Sequence, residues 1–172
     1  MTLFERFKQI TTFVFDVDGV LTDGSVLLLE NGLQARKMNI KDGLALQMAQ
    51  RNYRVVLISG AYSEPVMKRL QYLGLANIFL GTKDKIGFLK TYLEEQNIGW
   101  DRVLYMGDDL PDMGVLKSVG IACCPTDAVL EVKKVCHYIS PKKGGEGCVR
   151  DVIEKVLKLN GHWHTETDLV SL

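Results

Sequence analysis

The sequence has no excess of either charge, with 21 Lys and Arg against 21 Asp and Glu over 172 residues. A nucleic-acid partner needs a basic surface to neutralise phosphates, so that class is disfavoured and a small-molecule substrate fits better. There is no long apolar span and no signal-like segment near the start, which argues against a membrane partner and points to the cytoplasm. Cys123, Cys124, Cys136 and Cys148 lack the paired C-x-x-C spacing of a zinc or redox site, so reduced thiols are expected. His162-Trp163-His164 offers two imidazoles without a third ligand, a weak metal signal. No repeat or low-complexity segment is present. What remains is an ordinary globular composition, 47% hydrophobic and 24% charged. That length suits one domain, placed at 1–160 with a polar tail over 161–172, and is short for a catalytic domain plus a lid.

The most informative stretch is Phe13-Val14-Phe15-Asp16-Val17-Asp18-Gly19-Val20, an apolar strand that stops at two carboxylates one residue apart. Carboxylates are costly to bury unpaired, so a pair at a strand's carboxyl end implies a cation and a ligand crevice at the sheet edge. A strand followed by an Asp-Gly turn is the plainer alternative. Val103-Leu104-Tyr105-Met106 repeats the pattern, ending at Gly107-Asp108-Asp109. Between them, Asp42 to Arg51 reads as a helix, Val55 to Ile58 as a buried strand, and Pro65 as the first turn of a helix running to about Leu73. Asn77 to Leu80 is a short strand, and Ile86, Leu89 and Leu93 mark a helix ending near Gln96. Thr126 to Val135 fits a capped helix, and Val149, Val152, Ile153, Val156 and Leu157 mark the last one. Ser25 to Met38 reads as an inserted hairpin around Asn31-Gly32. The alternation predicts an α/β fold, a doubly wound, mainly parallel, three-layer sheet with a small hairpin at about 25–38.

Four motifs in order, Asp16-Val17-Asp18-Gly19-Val20, Ser59-Gly60, Lys85 and Gly107-Asp108-Asp109-Leu110-Pro111-Asp112, resemble those of the haloacid dehalogenase superfamily of phosphohydrolases. Asp23-Gly24, Met38-Asn39-Ile40-Lys41-Asp42-Gly43 and Gly144-Gly145-Glu146-Gly147-Cys148-Val149-Arg150 are similar to its small, capless branch, which acts on octulosonate 8-phosphates and nonulosonate 9-phosphates. The resemblance covers about residues 10–157. It implies a Rossmann-like haloacid dehalogenase fold and hydrolysis of a 2-keto-3-deoxy sugar acid phosphate, the lipopolysaccharide precursor 3-deoxy-D-manno-octulosonate 8-phosphate or a nonulosonate 9-phosphate. This branch typically carries an arginine after its second motif where Ala61 stands here, so the sugar acid is left open.

The resemblance makes Asp16 the nucleophile that forms an aspartyl-phosphate and Asp18 the general acid/base. It assigns Mg²⁺ to Asp16, Asp108 and the backbone carbonyl of Asp18, with Asp109 and Asp112 supporting from behind. Ser59, Gly60 and Lys85 would bind the phosphoryl group, although a lone lysine is more commonly a solvated helix face. Asn39, Lys41, Asp42, Gly43 and Arg150 would bind substrate, with Gly144, Gly145 and Gly147 as a pliable loop exposing amides. For Asp42 a second reading is a favourable charge at a helix N-terminus. The resemblance further implies a homotetramer, and Leu27-Leu28-Leu29 puts apolar groups on both hairpin faces, one to pack on its own domain and one to be covered by a neighbour. A receiver-like phospho-aspartate signalling domain is the rival from another class; it places its acidic pair first and its phosphoryl acceptor later, the reverse of the order here. A metal-binding module without turnover is a third reading, opposed by the complete set Asp16, Asp18, Ser59, Lys85 and Asp108.

Overall fold

The computed structural model describes residues 1–164. Helix α1 (Leu3–Gln9) leads into β1 (Thr12–Phe15), whose Phe13, Val14 and Phe15 are wholly buried. The hairpin strands β2 (Leu27–Leu28) and β3 (Gln34–Ala35) follow, then α2 (Ile40–Ala49), β4 (Arg54–Ser59), α3 (Glu64–Tyr72), β5 (Asn77–Leu80) and α4 (Lys85–Glu95). The second half comprises β6 (Val103–Met106), α5 (Met113–Leu116), β7 (Ile121–Cys124), α6 (Leu130–Val135), β8 (Tyr138–Ile139) and α7 (Cys148–Leu159).

Six strands form one sheet in the order β5-β4-β1-β6-β7-β8, every neighbouring pair parallel. A strand buried on both faces needs apolar residues at every position, which is why β1, β4 and β6 read as continuous runs rather than alternations. Phe13, Phe15, Val55, Leu57, Leu104 and Met106 face the layer of α1, α2, α3 and α7, while Val14, Val56, Ile58 and Tyr105 face α4, α5 and α6. The chain builds outward from β1 to β4 and β5, then returns to β6 on β1's other side. That reversal opens a crevice beyond the carboxyl end of β1, where ligands of doubly wound sheets bind. Among the described residues no helix is long and apolar enough to cross a membrane.

Three local expectations are corrected. Helix α6 begins at Leu130 and not at Thr126, because residues 125–129 are drawn into loop contacts: Val129 N–H donates to Asp108 O at 3.0 Å and Asp127 Oδ1 accepts from Gly144 N at 3.0 Å. The hairpin forms, with Leu27 opposite Ala35 and Leu28 opposite Gln34, but Leu27 and Leu28 do not pack on their own domain and Leu29 stays 42% exposed. Leu27, Leu28 and Leu33 are 64%, 75% and 62% exposed. The tail expected from 161 starts as packed chain, since Tyr53 Oη and His162 Nδ1 are 2.8 Å apart and Trp163 lies against the core. Residues 165–172 of that tail lie outside the described residues.

Candidate active site

Beyond the ends of β1, β4 and β6 lies a cleft of about 300 Å³ lined by Asp16, Asp18, Ser59, Gly60, Lys85 and Asp108, with Asp109 and Asp112 on the same wall. Asp16 is the first residue past β1, and its N–H still donates to Met106 O at 3.0 Å. Its Oδ1 accepts from Val17 N at 2.8 Å and from Lys85 Nζ at 2.9 Å, while among the described residues no hydrogen bond reaches Oδ2. One oxygen is therefore fixed and the other is left to the cleft. Lys85 opens α4 and is only 5% exposed, which rules out a solvated lysine on a helix face. Burial works against its charge, but Asp16 and Asp112 outweigh it and hold its pKa above the usual value.

Asp112 ties these groups together. Its Oδ1 accepts from Lys85 Nζ at 2.7 Å and from the Tyr105 hydroxyl, and its Oδ2 accepts from the N–H groups of Asp108 at 3.0 Å and Asp109 at 3.3 Å. Both oxygens are thus occupied by protein donors. Asp109, exposed, accepts from Leu110 N at 2.7 Å and holds the turn. Ser59 ends β4 with its Oγ accepting from Ala61 N at 3.2 Å, which leaves its hydroxyl proton free to donate. Gly19, at φ +82°, lies so close to Asp108 that a Cβ would sit 2.0 Å from Oδ2. The loops after β1 and β6 therefore touch through a position only glycine fits.

Sequence reading missed three residues here. Tyr105 is a fully buried tyrosine in an otherwise apolar strand, and a buried hydroxyl needs a partner, which was the available signal. Thr22 Oγ1 accepts from Gly19 N at 3.2 Å and holds the loop after β1. Arg36, on the hairpin, reaches Asp18 with Nε 2.6 Å from Oδ1. No spacing rule connects positions 18 and 36.

Oxygens of Asp16, Asp108 and Asp112 all come within 4.8 Å of one another. Burial, then the Asp112 charge, pushes Asp16 up to about 7 despite Lys85, and burial with Asp16, Asp112 and Asp109 pushes Asp108 up to about 7. Such an excess of negative charge on hard oxygen donors suits a small divalent cation, which would stabilise both carboxylates in the ionised form. Because Asp112 is committed to protein donors, Asp16 and Asp108 are the side chains with oxygens to offer.

The structure does not bring the remaining candidates into this cleft. Asn39 caps α2, accepting from Lys41 N at 2.8 Å, and its Nδ2 donates to Gly145 O at 3.3 Å. Gly43 is buried against Leu73. Asp42 is 1% exposed, and its Oδ1 accepts from Arg150 N at 2.7 Å. It thereby caps α7, whose own N-cap, Gly147, has no side chain to do so. Burial lifts its pKa to about 6, against the amides of Arg150 and Gly147, and its Oδ2 has no partner among the described residues. Lys41 and Arg150 line a separate groove of about 950 Å³. Arg150 pairs with Glu154 at 3.2 Å and stacks 5.3 Å over the Trp163 ring. In the glycine loop Gly147 faces open space, whereas two glycines are closely packed: a Cβ on Gly144 would meet Gly19 O at 2.0 Å, and one on Gly145 would meet Asp23 N at 2.6 Å. These glycines permit backbone-to-backbone packing behind the catalytic loop.

Residues 71–153 match the haloacid dehalogenase-like hydrolases. A 3-deoxy-D-manno-octulosonate 8-phosphate phosphatase of Salmonella typhi is 32% identical over 155 residues, 90% of this chain and 82% of that protein. The chain belongs to the haloacid dehalogenase-like hydrolases. Among solved members of that family, a probable YrbI family phosphatase from Pseudomonas syringae superposes with a TM-score of 0.89 at 37% identity, covering 93% of this chain and 92% of the other. The 3-deoxy-D-manno-octulosonate 8-phosphate phosphatase of Moraxella catarrhalis, solved with magnesium, phosphate and KDO, gives 0.88 at 32% identity, covering 92% and 91%. Membership sets aside the receiver-domain alternative.

The charge crowding yields a prediction for Asp108. A carboxyl raised from 3.8 to about 7 lends stability that is full below about pH 4 and lost as pH rises through 7. In EDTA at pH 8, Asp108→Asn should melt above the parent, and the gap should close towards pH 4. Mg²⁺ should raise the parent's melting temperature and leave the variant's almost unmoved. A variant that melts lower in EDTA at pH 8, or gains as much from Mg²⁺, contradicts this arrangement.

Proposed function

We infer that the chain is a Mg²⁺-dependent phosphatase that hydrolyses 3-deoxy-D-manno-octulosonate 8-phosphate through an aspartyl-phosphate. The observation that carries this reading is Asp16 itself, with one oxygen held by Lys85 and the other open to a cleft walled by Ser59 and Asp108. The related phosphatases match over nine-tenths of the chain, which supports the substrate class.

Phosphate monoesters resist attack because their oxygens repel nucleophiles, so catalysis rests on positioning and charge neutralisation. Asp16 Oδ2 attacks phosphorus. Lys85 has three N–H donors, two of them engaged by Asp16 and Asp112, and directs the third at the transferring phosphoryl group alongside the Ser59 hydroxyl and the backbone at Gly60. Asp18 gives a proton to the leaving alkoxide and later takes one from the water that cleaves the acyl phosphate. Asp16, Asp108 and the backbone carbonyl of Asp18 would hold Mg²⁺, which would supply charge neutralisation for the phosphoryl oxygens. Asp109 and Asp112 keep that loop in shape.

Ala61 lines the cleft without charge, so a nonulosonate 9-phosphate is the second reading. A panel of octulosonate 8-phosphate, nonulosonate 9-phosphates and neutral hexose phosphates separates the two. The first should have the highest kcat/KM, because specificity is a difference in transition-state binding. Equal values for the sugar acid and a hexose phosphate would defeat the reading.

We place residues 1–160, with His162 and Trp163 packed against them, in one catalytic unit that works in the cytoplasm, since charged sugar phosphates do not cross membranes unaided. We further place it in a homotetramer. Leu27, Leu28 and Leu33 stand in solvent, and covering each contributes about 1.5–3 kcal/mol. Symmetric packing of hairpins supplies that cover and closes their strand edges. It also brings a neighbour towards a cleft that no lid covers among the described residues. Light scattering at assay concentration should give a tetramer, and an active monomer rules it out.

A further inference from the structure

We propose that Arg36 is the positioning residue for Asp18, delivered from the hairpin to aim the carboxylate on which proton transfer depends. Asp18 sits on a loop beyond β1, 36% exposed, where nothing in its own backbone fixes the side-chain rotamer. Arg36 Nε lies 2.6 Å from its Oδ1, and among the described residues no other side chain bonds that carboxylate. The arrangement parallels that of Asp16, since in each acid a cation from another element holds Oδ1 and leaves Oδ2 for chemistry. A proton donor has to sit within about 3 Å of the oxygen it serves, so a free rotamer would disperse the carboxylate over unproductive geometries.

An ordinary surface ion pair contributes little and leaves both partners solvated. Arg36 does not fit that description: its side chain is 9% exposed although it rises from a hairpin whose leucines are bare. Burying a guanidinium costs desolvation that only a well-formed pair offsets. The hairpin's root is a single bridge between Thr22 and Met38. Arg36 therefore links the inserted element directly to the catalytic loop. This role goes beyond the proposed substrate, since it concerns any phosphate ester whose leaving group needs a proton.

The test uses that dependence. Single-turnover release rates are measured for an alkyl phosphate, whose alkoxide needs protonation, and for p-nitrophenyl phosphate, whose phenolate leaves without it. In Arg36→Met the alkyl-to-aryl rate ratio should fall at least roughly tenfold, a part of the roughly 10²–10⁴-fold that a general acid supplies, and Arg36→Lys should recover part of it. In an Asp18→Asn background, Arg36→Met should lower the alkyl rate by less than about threefold, because the two residues act as one unit. A ratio within threefold of the parent's, or losses that multiply in the double variant, overturns the proposal. The ratio is internally normalised, so a misfolded fraction cancels. The substrate panel fails independently of it, because alkyl and aryl esters are compared here whatever the natural substrate is.

Discussion

A buried ammonium shared by two carboxylates holds the functional end of this fold together. Lys85 comes from the start of α4, Asp16 from the end of β1 and Asp112 from the loop after β6, and their contacts of 2.9 and 2.7 Å bring three distant segments to one point. Removing Lys85 would leave two buried carboxylates facing each other without a counter-charge, so the ammonium is what allows the three segments to meet. From Asp112 the order spreads to Tyr105 and the amides of Asp108 and Asp109, and from Asp108 through the close contact with Gly19 back to the catalytic loop. The active centre is a closed circuit of polar contacts at the mouth of an apolar sheet.

The sheet's topology makes that circuit possible. β1 lies between β4 and β6, with Phe15 paired to Leu57 and Met106, so Asp16 emerges between the two chain segments that lead on to Ser59 and Asp108. Repulsion among the acids is then unavoidable: burial and neighbouring charge push Asp16 and Asp108 to about 7. A carboxyl with that tendency is only partly ionised at neutral pH, and a divalent cation beside it would hold it in the ionised form.

The strands and the cleft's core were legible because strands buried on both faces must be apolar throughout, so the carboxylates at the ends of β1 and β6 stand out in the text of the chain. Order supplied Ser59 and Lys85. Asp42 was legible as a charge at the start of its own helix but not as the cap of α7, and Gly144 and Gly145 as a glycine loop but not as packed backbone. Capping α7 from α2, or letting one loop's backbone lie on another's, depends on contacts 108 and more than 120 residues apart in sequence, which no local pattern encodes. Arg36 was invisible for the same reason. The leucines of the hairpin were read correctly as apolar and wrongly as partly self-covered, because alternation tells which residues share a face and not what that face meets.

The central claim is that phosphorus is passed through Asp16. It is tested most directly by quenching the enzyme in acid during turnover, reducing with borohydride and mapping the modified peptide by mass spectrometry. Borohydride converts an acyl phosphate to an alcohol, so the account predicts homoserine at position 16, dependent on both substrate and Mg²⁺. Conversion at another carboxylate, or none while phosphate is being released, would contradict it.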